Sequence, residues 1–260
     1  MPPLHQQRWT ITLVGVSFLL LLATLITSEK IELFTFLQQT LLSLMKAPWI
    51  VLTLLGDTTI TILLILPFLY QNPKRSQATF WAILLAEIIS HVLKTLVNED
   101  RPAFLLTIPI MGKPLYHGGF PSGHTTSIFV WVGLMLMHQK RSLGFKVSIS
   151  ALGLLVGLSR IAVGAHWPQD VLGGLICGLT CSYAGLKLSI NYPLSFPAWM
   201  RYIPYGLILL EQIYVSTNHY HTGFGDPWDQ GVRIITLMSL LGTFLLLKKI
   251  IANSPTHNDK

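Results

Sequence analysis

The sequence predicts an all-α fold, a polytopic bundle of transmembrane helices, and three observations carry that expectation. Only 11% of the 260 residues are charged, while 51% are hydrophobic; an ordinary soluble domain carries about a quarter charged residues. Apolar runs of span length recur along the chain, and about 20 residues suffice to cross roughly 30 Å of hydrocarbon as a helix. The formal net charge is +7, but the cations sit in short groups between apolar runs. That distribution fits topology signals better than the clustered basic face of a nucleic-acid binder. A disordered chain is excluded, and little room remains for a soluble domain. Two cysteines, Cys177 and Cys181, cannot make a disulfide framework. They lie four apart in an apolar run and read as small packing residues.

The first expected span, 9–28, contains no charged residue and no histidine. A signal peptide is the competing reading. The stretch is long, however, and no A-x-A-like site follows it, so we read an uncleaved helix. Spans at 48–70, 77–97, 124–138, 146–165 and 168–187 follow. Two C-terminal segments, 198–216 and 230–247, make eight; the former is interrupted by Arg201 and Glu211, and a re-entrant or interfacial course is its alternative. With both ends in the cytoplasm, 11 of the 18 Lys and Arg residues fall inside and seven outside, the bias that the positive-inside rule favours. No repeat or linker divides the chain, which reads as one membrane domain. Gly153/Gly157 and Gly174/Gly178 have the small-xxx-small spacing of close helix contacts.

Ionisable residues beside membrane helices are costly and therefore functional candidates. Three clusters stand out: Lys94 with Arg101-Pro102, then Pro121-Ser122-Gly123-His124, then Ser159-Arg160 with His166 and Asp170. The expected topology places all three at one membrane face. Lys94, Arg101 and Arg160 suit a multiply charged anion, the arginines as bidentate forks and the lysine as a point charge. Ser122 and Gly123 precede a helix N-terminus, where unpaired N–H groups favour phosphate. His124 and His166 can divide nucleophilic and general-acid work near neutral pH. Pro168 suits the first position of a helix, which puts Asp170 in its first turn, within reach of His166, where a carboxylate fixes an imidazole tautomer.

Lys94-x6-Arg101-Pro102, Pro121-Ser122-Gly123-His124 and Ser159-Arg160-x5-His166-x3-Asp170 resemble, in order and at every core position, the three motifs of the type 2 phosphatidic acid phosphatase (PAP2) superfamily. The motifs cover 94–170, and the helix layout extends the likeness over roughly 9–190. The resemblance implies a PAP2-like six-helix core over 1–192, followed in 193–260 by two extra membrane segments and a short tail. It implies metal-independent, cofactor-free dephosphorylation through a phosphohistidine. His166 would be the nucleophile, Asp170 its orienting carboxylate, and His124 the acid for the leaving oxygen. Lys94, Arg101, Ser122, Gly123 and Arg160 would hold the phosphoryl group. Vanadium haloperoxidases share the superfamily but are soluble.

The expected activity is therefore that of a lipid phosphate phosphatase, with a membrane lipid phosphate or diphosphate as substrate and no nucleic-acid partner. Phosphatidylglycerophosphate and undecaprenyl diphosphate phosphatases are the preferred subfamilies, in a bacterial inner membrane with the site facing the periplasm. A dolichyl diphosphate phosphatase of the endoplasmic reticulum is an alternative. Phosphate transfer to a lipid alcohol such as lipid A is the runner-up. A transporter with a basic vestibule is the non-enzymatic alternative, disfavoured because transport needs no paired histidines and carboxylate. Glu87, His91 and Lys94 share one helical stripe, read as a bundle-facing ladder under Lys94 rather than a proton path. Asp57 is either a buried partner or near a polar helix break. His219 and His221, with nearby carboxylates, have metal-ligand spacing, but a solvated loop is preferred. Trp167 and Trp228 read as interface anchors.

Overall fold

The computed structural model describes residues 4–26, 29–44, 46–58, 60–62, 64, 73–138, 142–192, 203–217 and 222–252. Among them the chain is built of helices, with no strand. In order these are α1 (Leu4–Ile26), α2 (Lys30–Leu44), α3 (Lys46–Leu55), α4 (Pro73–Val97), the short α5 (Pro102–Leu105), α6 (Gly123–His138), α7 (Leu143–Ala162), α8 (Pro168–Asn191), α9 (Ile203–Thr217) and α10 (Asp226–Ala252). The stretches Gln7–Ile26, Arg75–Leu105, Leu143–Ala162 and Pro168–Asn191 are long and apolar enough to cross a membrane. Their outward faces carry exposed large apolar residues such as Leu19, Leu25, Ile88 and Val92, as lipid contact requires. The protein is an integral membrane protein.

Two elements depart from the sequence expectation. Lys30–Leu44 forms a helix that hydropathy does not reveal, because Lys30, Glu32, Gln38 and Gln39 interrupt its apolar run. The expected span 48–70 is not continuous. α3 stops at Leu55, Gly56 and Asp57 turn, and residues 58, 60–62 and 64 are helical again; 65–70 lie outside the described residues. The Asp57 carbonyl accepts from the Thr61 amide at 2.8 Å, as the residue opening a new helix does. Asp57 therefore marks a polar helix break. In the expected segment 198–216 the described helix is Ile203–Thr217, and 198–202 lie outside the described residues.

α8 is the axis of the bundle, packed against α4, α6 and α1. Its glycines make this possible. A Cβ on Gly174 would lie 2.6 Å from the Ser122 carbonyl, one on Gly178 would lie 2.5 Å from the Thr126 carbonyl, and one on Gly185 would lie 2.5 Å from the Ala78 carbonyl. Backbone thus meets backbone along the seam, the close approach that small residues give in membranes. Ile128, Phe129, Val132, Val156, Leu175 and Leu179 fill the core beside it. A second cluster, of Phe34, Ile161, Trp167 and Val171, fastens α2 to the end of the bundle where α7 gives way to α8.

Candidate active site

The site assembles where four helix ends meet. α4 ends at Val97, and Asn98 turns the chain with a left-handed φ of 43°, a conformation that asparagine tolerates better than most residues. The turn pairs with a later loop: the Arg101 amide donates to the Tyr116 carbonyl and the Gly119 amide to the Glu99 carbonyl, each at 2.8 Å. Lys94, on the last turn of α4, and Arg101, just past it, are thereby aimed at one point. α6 begins at Gly123, and the Ser122 amide donates to the Asp170 carbonyl at 2.9 Å, tying the second motif to the first turn of α8. Between α7 and α8, Gly164 adopts a φ of 79°. The Ala165 and His166 amides fold back on the Arg160 carbonyl at 3.0 and 3.2 Å, bringing the third motif onto itself.

His166 is 2% exposed, and both its ring nitrogens are engaged. Nε2 lies 3.2 Å from Arg101 Nη1, and Nδ1 lies 3.2 Å from Asp170 Oδ2. A guanidinium only donates and a carboxylate only accepts. The proton is therefore on Nδ1 and the lone pair on Nε2, directed at the cations. Asp170 is fully buried. The same Oδ2 accepts from the Trp167 amide at 3.0 Å, whereas Oδ1 has no hydrogen-bond partner among the described residues. Burial, and then the charges of Arg101, Arg160 and Lys94, hold the His166 imidazole well below its ordinary value near 6.5. A neutral ring is what a nitrogen nucleophile needs. The acid limb of kcat/KM, corrected for the substrate's own phosphate ionisation, should accordingly lie below pH 6.5; a limb at or above that value would contradict this environment. In the linkage direction, the unfolded chain takes up the proton first, so this group's contribution to stability is complete above pH 6.5 and declines as the pH falls below it.

The cations are held by backbone. Lys94 Nζ donates to the Gly118 and Pro121 carbonyls at 3.2 and 2.8 Å, which uses two of its three donors. Arg101 donates to the His117, Gly118 and Ala165 carbonyls at 2.9, 3.1 and 3.3 Å. Arg160 donates through Nη1 to Thr53 Oγ1 of α3. Its buried Nε has no partner among the described residues. Arg101, Arg160 and His124 line a cavity of about 200 Å³, together with Asp57. His166 lies directly behind Arg101, its Nε2 in contact with Arg101 Nη1, and Arg101 separates it from the cavity that Arg101 lines. Ser122 is fully buried, and its hydroxyl engages the Thr125 hydroxyl at 3.0 Å. The Ser122 amide is spent on the Asp170 carbonyl and its hydroxyl accepts from the Thr125 hydroxyl.

Several participants were not legible in the motifs. Trp167 is no interface anchor. It is fully buried, its Nε1–H donates to the Asp100 carbonyl at 2.6 Å, Phe34 packs edge-on at 5.1 Å, and the Lys30 ammonium lies 4.3 Å from its ring centroid. Lys30 also pairs with Glu99, which accepts from Gln169 at 3.5 Å. This brace of α2 against α8 stands behind Asp170. The signal available for it was the set of polar residues Lys30, Glu32, Gln38 and Gln39 in a stretch too polar to read as a span. Glu87 and His91 are exposed and do not form a buried ladder under Lys94. Glu87 borders a shallow groove with Thr58, Thr61 and Ser127. His219 and His221 lie outside the described residues, among which no group of three or more His, Cys, Asp or Glu clusters as metal ligands do.

Residues 78–192 match the PAP2 superfamily. The chain carries a PAP2 superfamily domain. It is 30% identical to the undecaprenyl-diphosphatase BcrC of Bacillus subtilis over 131 residues, 49% of this chain and 66% of that one. It is 29% identical to human glucose-6-phosphatase 3 over 211 residues, 72% of this chain and 59% of that one. The chain thus spans less than two thirds of these curated relatives. Among solved structures, Aquifex aeolicus LpxE superposes with a TM-score of 0.55 at 27% identity, covering 62% of this chain and 97% of LpxE. The PAP2 match contains all three motifs and ends before the C-terminal helices, whereas the glucose-6-phosphatase match is 80 residues longer than the first (211 against 131).

Proposed function

We propose that the protein is a membrane phosphatase that hydrolyses lipid phosphate or diphosphate esters through a phosphohistidine at His166. The observation that carries this reading is the orientation of His166: Nδ1–H on Asp170, and the Nε2 lone pair facing Arg101 at 3.2 Å. In the first step Nε2 attacks phosphorus, the P–O ester bond breaks, and the leaving oxygen takes a proton from His124. In the second, water attacks phosphorus, its proton passes to His124, and the P–N bond breaks to release inorganic phosphate. Lys94, Arg101, Arg160 and the first-turn amides of α6 balance the charge gathered on the equatorial oxygens. Relatives with names for undecaprenyl diphosphate hydrolysis support a lipid substrate. The long match to a glucose-6-phosphatase supports a second reading, a sugar phosphate.

This reading keeps 1–192 as the catalytic core and 193–260 as two added membrane segments with a short cytoplasmic tail. The three cations supply the stabilisation that a metal gives elsewhere. The purified protein should therefore release phosphate in EDTA and be inhibited by orthovanadate, an analogue of the five-coordinate phosphoryl transition state. Loss of activity in EDTA with rescue by a divalent ion would overturn the metal-free mechanism. We further place the chain in a bacterial inner membrane with the cavity on the periplasmic side. With Cys177 and Cys181 replaced, a cysteine at Lys113 should react with an impermeant thiol reagent in intact cells, and one at Lys140 should not. The reverse labelling would invert the topology.

A further inference from the structure

We propose that Lys30 of α2 is a positioning residue for the phosphatase reaction: through Trp167 and Glu99 it fixes the Asp170 carboxylate that orients the His166 imidazole. The proposal rests on the phosphatase reading above and adds to it a residue outside all three motifs. α2 presents one stripe to the segment that carries His166. Lys30, Phe34 and Gln38 are spaced four apart and so share a face of the helix. The Lys30 ammonium lies 4.3 Å from the Trp167 ring centroid, and Phe34 packs edge-on against the same ring at 5.1 Å. Gln38 is buried, and its amide donates to the Pro109 carbonyl at 2.9 Å. A Cβ on Gly164 would lie 3.0 Å from Gln38 Nε2. The stripe therefore meets the segment on both sides of His166, at Gly164 before it and at Trp167 after it.

Trp167 joins this stripe to the chemistry. Its indole is held by α2 and by the Asp100 carbonyl. Its backbone amide donates to Asp170 Oδ2 at 3.0 Å, and the same oxygen meets His166 Nδ1 at 3.2 Å. A displacement of the indole is passed to that amide through a single residue, and from there to the oxygen that selects the tautomer.

Glu99 gives Lys30 an electrostatic part as well. The Glu99 carboxylate pairs with Lys30 and accepts from Gln169 Nε2 at 3.5 Å, while its carbonyl accepts from the Gly119 amide at 2.8 Å. Gly119 in turn lies against Asp170: a Cβ there would be 3.0 Å from Asp170 Oδ2 and 3.2 Å from the Glu99 carbonyl. Two carboxylates thus border the start of α8, and like charges oppose each other. The Lys30 ammonium offsets Glu99 and leaves Asp170 as the counter-charge for the imidazolium that forms on phosphoryl transfer. A solvated Lys–Glu pair contributes little. This pair is only 26% and 27% exposed and sits on a buried indole, where the cation–π contact adds to it. The phosphate-binding cations Lys94, Arg101 and Arg160 take their bonds from other groups, so loss of the brace should read in kcat and spare KM.

The test uses full-length protein in detergent and measures phosphate release from phosphatidic acid, farnesyl diphosphate and p-nitrophenyl phosphate. Lys30→Met keeps an apolar stem beside Trp167 and removes the charge. On each substrate that the wild type turns over, it should lower kcat about 10- to 30-fold and leave KM within about twofold. Lys30→Gln replaces it, with the same expected split, if a thermal melt shows that the methionine variant is not folded. Lys30→Arg keeps a cation on the indole and should hold kcat within about threefold of wild type. Glu99→Gln keeps an acceptor for Gln169 and removes the unbalanced charge, so adding it to Lys30→Met should raise kcat about threefold or more. Packing alone cannot give that recovery, because the second substitution returns no contact to Trp167. A Lys30→Met kcat within twofold of wild type, a loss carried by KM, or a kcat loss that neither Arg at position 30 nor the added Glu99→Gln eases would overturn the positioning role, while wild-type phosphate release would keep the phosphatase reading intact. A wild type that releases no phosphate from any of the three substrates would instead overturn the phosphatase reading, and the positioning role with it.

Discussion

His166→Ala should lower kcat by roughly 10⁴-fold or more while leaving substrate binding largely in place. The substitution removes the ring nitrogen whose lone pair faces Arg101, and the histidine that lines the cavity, His124, is the one proposed to serve the leaving oxygen. Lys94 and Arg101 keep their backbone carbonyl partners without the imidazole, so the groups proposed to bind phosphate persist and KM should change little. The folded state loses one hydrogen bond to Arg101 and one to Asp170, at a cost of about 1–3 kcal/mol for the groups left unpaired. A thermal melt in detergent distinguishes this from collapse. Steady-state phosphate release measures the effect, and turnover within tenfold of wild type in a folded variant would remove His166 from the chemistry.

Asp170 should separate orientation from charge. A single oxygen, Oδ2, accepts from the Trp167 amide and holds His166 Nδ1–H. Asp170→Asn can place its carbonyl oxygen in that position and keep both bonds, so the tautomer is preserved and only the negative charge is lost. The imidazole becomes cationic as it takes the phosphoryl group, and the missing counter-charge should lower kcat by roughly 10²- to 10³-fold. Asp170→Ala removes the orientation as well and should cost roughly 10³- to 10⁴-fold. The kcat order wild type, Asn, Ala is the expected result. An alanine variant as active as the asparagine one would show that Asp170 neither fixes the tautomer nor holds the ring.

How much of this was legible in the sequence depended on the kind of signal. The bundle could be read because a membrane helix must satisfy its backbone internally and therefore announces itself by apolar length. The convergence of Lys94, Arg101, His124, Arg160, His166 and Asp170 was legible because each is too costly beside hydrocarbon to be there idly. α2 was not, because a helix that lies partly on the protein, with Gln38 donating to the Pro109 carbonyl at 2.9 Å, does not need an unbroken apolar run. The break at Asp57 was visible only as an ambiguity: a carboxylate in a span fits both a buried partner and a helix end, and the neighbouring Gly56 does not decide between them. Trp167 was misread because buried and interfacial tryptophans share one composition signal. Its burial is set by Phe34 and Asp100, which lie far from it in the chain. The place of Phe224 at the cavity rim depends on contacts with Gly112 and Lys113, a long-range pairing that no local pattern encodes.

The most direct test of the central claim is to trap the covalent intermediate. His124→Ala with an activated aryl phosphate is the suitable case, since the aryl oxide leaves without a proton while the second step still lacks its base. Rapid quenching into alkali with labelled substrate, followed by peptide mapping, should yield an acid-labile, alkali-stable phosphate on the peptide containing His166. Label on any other residue, or turnover of the labelled substrate with no phosphoenzyme in that variant, would contradict the phosphohistidine mechanism.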